Sequence, residues 1–307
     1  MPMLEVWLFG VFQARLHAAN AAPRPLALDS QRARELLGFL LLHPGEPQAR
    51  EVLASALWGG QTTAQSLKGL RQALWQLQLA LPPELRGGEG LLHLHPDSVE
   101  LRPGAGREAG LRCDALTFQE VAGSLRGRAG HSLTPAEARA LREAAALYRG
   151  DLLEGWMADW CLAQRERLHT LYLAALEKLT DHCEVCREWE SGLAYAARIL
   201  AYDRASEDTH RQVMRLHYLS GHRTAALRQF GVCEQALREE LGVRPSRATL
   251  ALWECIREDR PLEDPSLPAD GAAAAAVRPP PPQPGPDLLQ ELRSVLLEVR
   301  ALLAEGR

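Results

Sequence analysis

Across residues 113–260 one helical pattern follows another, and no stretch reads as a strand. A run of that length without strands can bury its apolar side chains only by packing helix on helix. The segments fall at 115–125, 135–149, 159–187, 189–202, 206–220, 222–241 and 245–258. Two stretches, ESGLAYAARILAYDRASEDTHRQVMRLHYLSG and GHRTAALRQFGVCEQALREELGVRPS, alternate helix and turn, with small residues where helices would touch. A rhythm of roughly 34 residues predicts tetratricopeptide-like hairpins stacked as a short solenoid.

The chain ahead of this run is patterned differently. MLEVWLFGVFQ (3–13) and PLAL (25–28) read as strands, with Pro23 and Pro25 around the turn between them. Asp29 and Ser30 offer capping chemistry for a first helix over 34–42, stopped by His43-Pro44-Gly45. A second helix covers 50–58 and ends at Gly59-Gly60. Thr62-Thr63 cap a third, which runs to Pro82-Pro83. After the Gly-rich turn RGGEG, the segments LLHLH and VELR flank PDS as two short antiparallel strands. Strands, three helices and a hairpin describe a winged helix-turn-helix with an extra N-terminal sheet. The expected fold is therefore mainly α with a small β component: a winged domain over 1–103, then an all-α solenoid over 110–260.

From Pro261 the composition changes again. PLEDPSLPADGAAAAAVRPPPPQPGP is a Pro/Ala-rich linker of polyproline character, over 261–286. A final amphipathic helix follows over 287–305, where Leu288, Leu292, Val295, Val299 and Leu302 repeat at four-three spacing. About two heptads suit dimerisation or docking; the alternative is a weakly ordered tail.

Composition excludes several classes. The N-terminus MPMLEVWLFG lacks a charged leader and a cleavage site, and no apolar run reaches the roughly 18 to 20 residues that span a bilayer. Six cysteines are too sparse for a disulfide framework, so a reducing cytoplasm is expected. Of the 35 cations only Lys68 and Lys178 are lysines, and the formal net charge of −4 gives no global pull toward nucleic acid.

The residues resemble a known family. RCDALTF, ALYRGDLLEG, RERLHTLYLAALEKL and LREELGVRPSRATLALWECI follow, in order and spacing, the pattern of a bacterial transcriptional activator domain. Ahead of them, LFGVFQARL, EVLASALWG and LRQALWQL are similar to an OmpR-like winged helix. The chain thus resembles a compact activator of the Streptomyces antibiotic regulatory protein type, over about residues 4–258. The resemblance implies promoter DNA and RNA polymerase as partners and no cofactor. Larger relatives append a nucleotide-binding ATPase, but no G-x-x-x-x-G-K-[ST] phosphate loop occurs in this sequence.

Periodicity orients the third helix. Leu67, Leu70, Leu74, Leu77 and Leu81 form its buried stripe. At about 100° per residue, Gln65, Lys68, Gln72, Trp75, Gln76 and Leu79 lie opposite, with Arg71 on the flank. Gln65 and Gln72 suit adenine edges, while Lys68 and Arg71 suit guanine or phosphate. No carboxylate lies between Gln61 and Pro83, so nothing on this stretch repels a phosphate backbone. The family's usual arginines are missing, however: Gln76, Gln78 and Leu79 stand there. Residues 1–103 balance nine cations against nine anions. Weak single-domain affinity, assisted by a dimer or partner, is expected. Packing on the wing or second domain is the favoured reading of Trp75 and Leu79, with contact to thymine methyls or a protein as the alternative. Arg50 at the start of the second helix suits a phosphate, and His93, His95 and Arg102 flank the wing turn; each also reads as a solvated side chain.

Outside this surface, Arg204, Arg211, Arg215, Arg223 and Arg228 cluster in sequence. They read mainly as partners of Glu207, Asp208, Glu234 and Glu239, and alternatively as a pocket for a small anionic effector. His182-Cys183-Glu184-Val185-Cys186 lacks a second ligand pair, so core packing is expected and no metal. No nucleophile motif marks an enzyme. The competing class is an effector-sensing or protein-interaction module whose winged helix no longer binds DNA.

Overall fold

The computed structural model describes residues 2–18, 21–86, 90–103 and 110–262. Most of the Pro/Ala linker and the whole terminal segment with Leu288, Leu292, Val295, Val299 and Leu302 lie outside these residues. The fold is mainly α, with the small β component at the N-terminal end.

Strands β1 (Met3–Trp7), β2 (Gln13–Ala18) and β3 (Ala21–Pro25) form an antiparallel meander. Two expectations change here. The run 3–13 does not stay one strand, because Gly10 at φ +83° lets the chain turn back on itself. The second strand lies at 21–25 rather than 25–28: an edge strand tolerates Pro23 and Pro25, which have no N–H to give. Leu26 and Leu28 then leave the sheet and are buried in the core.

Helix α1 (Gln31–Leu42) begins one turn earlier than the apolar run suggests, and Ser30 precedes it without a side-chain cap. Strand β4 (Gln48–Ala49), helix α2 (Arg50–Trp58) and helix α3 (Thr63–Ala80) follow, then a 3-10 turn at Pro83–Leu85. The wing is β5 (Leu92–Leu94) and β6 (Ser98–Leu101), antiparallel with Leu92 opposite Leu101. β4 pairs on the other side of β6.

A strand that the sequence did not reveal joins the two halves. β7 (Leu111–Cys113) pairs parallel to β1, giving the sheet order β3-β2-β1-β7. Just after it, the buried Asp114 carboxylate accepts N–H bonds from Leu8 (2.8 Å), Phe9 (3.1 Å) and Ala115 (2.7 Å). The β1–β2 turn is also tied to the 151–154 loop, through Gly10 N–H to Asp151 O (2.8 Å) and Leu153 N–H to Leu8 O (2.7 Å). One continuous apolar core consequently runs from Leu4 through Phe118 and Leu153 to Ile199. Gly38 of α1 lets Trp156 approach closely, since a Cβ would sit 3.1 Å from the indole, tighter than ordinary contact.

The helical part comprises α4 (Asp114–Ser124), α5 (Pro135–Ala145), α6 (Asp159–Cys186), α7 (Trp189–Tyr202), α8 (Glu207–Leu219), α9 (Arg223–Leu241) and α10 (Arg247–Arg257). From α5 onward each helix packs on the next in sequence, and α10 also reaches α8. A small second core of Met214, Ala226 and Ile256 closes the far end. No described helix is long and apolar enough to cross a membrane.

Candidate nucleic-acid interface

The third helix is oriented by its burial. Ser66, Leu70, Ala73, Leu74 and Leu77 are buried, with Leu81 just beyond the helix, while Leu67 is only half-buried at its edge. The helix-turn-helix angle is fixed by α2: Trp58 lies against Gly69, where a Cβ would come within 2.7 Å of the indole nitrogen. Ser66 Oγ donates to Trp58 O at 3.3 Å from the same turn.

Lys68, Arg71, Gln72, Trp75 and Leu79 are consequently exposed, and Gln76 is partly so. Trp75 at 61% and Leu79 at 64% exposure pack on neither the wing nor the helical domain, contrary to the favoured expectation. The leucine stripe turns them outward, and no described element covers that side. Gln65 is exposed too, but its Oε1 accepts from the Thr62 N–H (3.3 Å) and hydroxyl (3.0 Å), so it closes the helix N-terminus. Its base-facing acceptor is thereby occupied.

Most other cations of this region are engaged by neighbours, Arg24 on β3 being an exception. Arg32 pairs with Glu35, Arg34 with Leu28 O, Arg86 with Leu81 O, and Arg15 lies over Trp7. Arg102 forms a two-pronged pair with Glu100, at 2.5 and 2.6 Å, and Glu100 is buried. That hydrogen bond holds the Glu100 carboxyl below its ordinary value despite burial. Arg50 donates to His95 O (3.0 and 3.3 Å), and its N–H meets Asp97 O (3.0 Å). Arg50 and Arg102 therefore build the wing. His93 also turns inward, its Nε2 2.8 Å from Gly90 O. Lys68 and Arg71, by contrast, make no hydrogen bond or ion pair with another described residue. Spacing could not separate these two groups, because pairing partners such as Glu100 and His95 O are brought by the wing hairpin.

Residues 113–257 match the family model of the bacterial transcriptional activator domain. The chain is 28% identical over 263 residues to the regulatory protein AfsR of Streptomyces coelicolor, across 83% of this chain, and it spans only 25% of AfsR's length. It is 24% identical over 258 residues to the transcriptional regulatory protein MoaR1 of Mycobacterium tuberculosis, covering 80% of this chain and 78% of MoaR1. A solved structure of Mycobacterium tuberculosis EmbR, in complex with a low-affinity phosphopeptide, is similar in fold. Its TM-score is 0.63 at 19% identity, over 86% of this chain and 67% of that one. In this chain a winged helix precedes the segment that matches the bacterial transcriptional activator domain model. The two curated relatives are both described as regulatory proteins.

Within the bacterial transcriptional activator domain, the five clustered arginines do not converge. Arg204 faces Glu239 and Glu240 (3.5 and 3.6 Å), Arg211 pairs with Asp208 and Glu207, and Arg215 with Glu184 (2.6 Å). Arg223 donates to Ile256 O (2.8 Å) and Arg257 O, and Arg228 is exposed on α9. Stacking the helices brings a carboxylate or carbonyl to four of the five, which leaves no shared anion pocket among them. Cys183 is buried, with its thiol pushed up to about 11 by burial, whereas Cys186 is exposed with Sγ 3.4 Å from His182 Nε2. No group of three metal-ligating side chains forms among the described residues.

Proposed function

We propose that this regulator activates transcription by reading promoter DNA with α3 in the major groove, and that its activator domain contacts RNA polymerase. The observation that carries this reading is the exposed, carboxylate-free face of α3, where Lys68 and Arg71 are uncommitted beside Gln72 and Gln76. Gln72 suits an adenine edge, and the two cations suit guanine or phosphate. Trp75 and Leu79, freely exposed on the same face, suit thymine methyls. Arg50 and Arg102 act by holding the wing in place, and any phosphate contact from them is secondary. Two free cations on α3 supply little electrostatic affinity. Two molecules on adjacent half-sites, joined through the leucine-rich segment over 287–305, would supply the rest, in the cytoplasm where the promoter lies.

The test is selection from a random DNA pool at rising salt, with wild type and the Arg71→Ala, Gln72→Ala double variant. The expected slope of log affinity on log salt is shallow, about −2 to −3 for two or three neutralised phosphates at about −0.9 each. The double variant should lose its sequence preference. Absence of binding at low salt, or an unchanged preference in the variant, rules the reading out.

A further inference from the structure

The activator domain contains a second built site, assembled from three helices and independent of the α3 surface. A cavity of about 550 Å³ is lined by Arg142, Tyr148, Tyr172, Tyr195, Arg198 and Tyr202, with alanines completing the wall. Arg142 comes from α5, Tyr148 from the turn after it, Tyr172 from α6, and the other three from α7. Tyr148 and Tyr172 stack with ring centroids 4.0 Å apart and planes within 7°. Tyr148 also meets Phe9 at 4.5 Å, so the wall of the cavity touches the N-terminal sheet region. The volume lies within the roughly 300 to 1,000 Å³ typical of small-molecule sites.

The lining has a definite sign. Four phenol rings could cage a cation, but the two guanidinium groups oppose one. No carboxylate is among the described residues lining the cavity; Asp151 lies behind it, 3.4 Å from the Tyr148 hydroxyl. Arg142 is engaged by Glu188, yet its enclosed Nε finds no hydrogen-bond partner among the described residues. Arg198 is exposed and makes no hydrogen bond or ion pair with another described residue. The hydroxyls of Tyr172, Tyr195 and Tyr202 likewise make no hydrogen bond to described groups. Burial pushes the Tyr195 and Tyr202 phenols above their ordinary values, which keeps them as donors. The cavity thus offers flat faces, O–H donors and one free guanidinium.

We propose that this cavity binds a small planar aromatic anion, the ring lying against the tyrosines and its phosphate or carboxylate held by Arg198. Stacking supplies the contact area, and the charge-assisted bond to Arg198 supplies selectivity for an anion.

The experiment is isothermal titration of the intact chain, without DNA, using adenosine 5′-monophosphate and 2-naphthoate as probes. Adenosine, 2-naphthol and inorganic phosphate serve as controls lacking either the charge or the ring. Saturable binding of at least one anionic ring is expected, with every control at least tenfold weaker. Arg198→Ala should weaken that binding tenfold or more while the far-ultraviolet dichroism stays unchanged, and Tyr195→Ala should weaken anion and neutral ring alike. No saturable binding of either anionic ring overturns the proposal. So does binding that Arg198→Ala leaves intact, or equal binding of the neutral counterpart.

Discussion

At the scale of single residues, two carboxylates do opposite electrostatic work. Asp114 is buried under three N–H donors, and burial raises its carboxyl above the ordinary value despite those bonds. Removing an acceptor from buried donors costs about 1 to 3 kcal/mol each. Asp114→Ala should therefore lower the unfolding free energy by about 3 kcal/mol or more in urea titration, and Asp114→Asn by less. A loss under about 0.5 kcal/mol would mean the three donors find other acceptors. Glu100 shifts the other way, held low by Arg102. A carboxylate depressed in the folded state contributes stability above its unfolded value, and that contribution disappears as pH falls through the folded value. Wild type should thus lose thermal stability below the ordinary glutamate range, about 4.3. In Arg102→Ala that part of the pH dependence should shrink, as read from melting temperature against pH. An identical pH profile would show that the pair contributes nothing.

At the scale of elements, α3 separates folding from recognition. Its leucine stripe was legible because a buried helical face repeats at three-four spacing, and the structure buries Leu70, Leu74 and Leu77 as that spacing requires. The fate of Trp75 and Leu79 was not legible, since only the placement of neighbouring elements decides whether the outer face is covered. Both are exposed, so Trp75→Ala and Leu79→Ala should change stability by no more than about 0.5 kcal/mol. Their effect should appear in recognition: wild type should prefer thymine-containing DNA over the same sequence with uracil, which lacks the methyl group. The double variant should lose that preference, and equal affinity of wild type for both DNAs would exclude methyl contact. Helix α1 gives the contrasting case of an element defined by its neighbour. Gly38→Val should cost about 1 to 3 kcal/mol, because a Cβ there already lies 3.1 Å from Trp156 and the two valine methyls extend beyond it.

At the scale of the whole molecule, the winged helix and the activator domain are joined by structure that belongs to neither alone. β7 completes the N-terminal sheet, Asp114 caps the β1–β2 turn, and Phe118, Leu152 and Leu153 enter the same core as Leu4 and Leu8. Burying three such side chains stabilises by about 5 to 9 kcal/mol, against a total of about 5 to 15 kcal/mol for a typical domain. A fragment ending at Pro103 should therefore fail to fold stably, with poor dispersion in its amide spectrum, while residues 1–262 should unfold in a single transition. A well-dispersed spectrum from the fragment would refute the shared core.

The sequence by itself determined the helix succession after residue 113, the winged helix-turn-helix order before it and the buried stripe of α3. These depend on periodicity and capping, which are properties of adjacent residues. Only the tertiary structure decided that Arg50 and Arg102 hold the wing while Lys68 and Arg71 stay free, and that Gln65 closes a helix end. It alone dispersed the clustered arginines among carboxylates, and gathered four tyrosines and two other arginines around one cavity. Pairing and enclosure depend on groups tens of residues apart, and no local pattern records which of them the packed chain brings within a few ångströms.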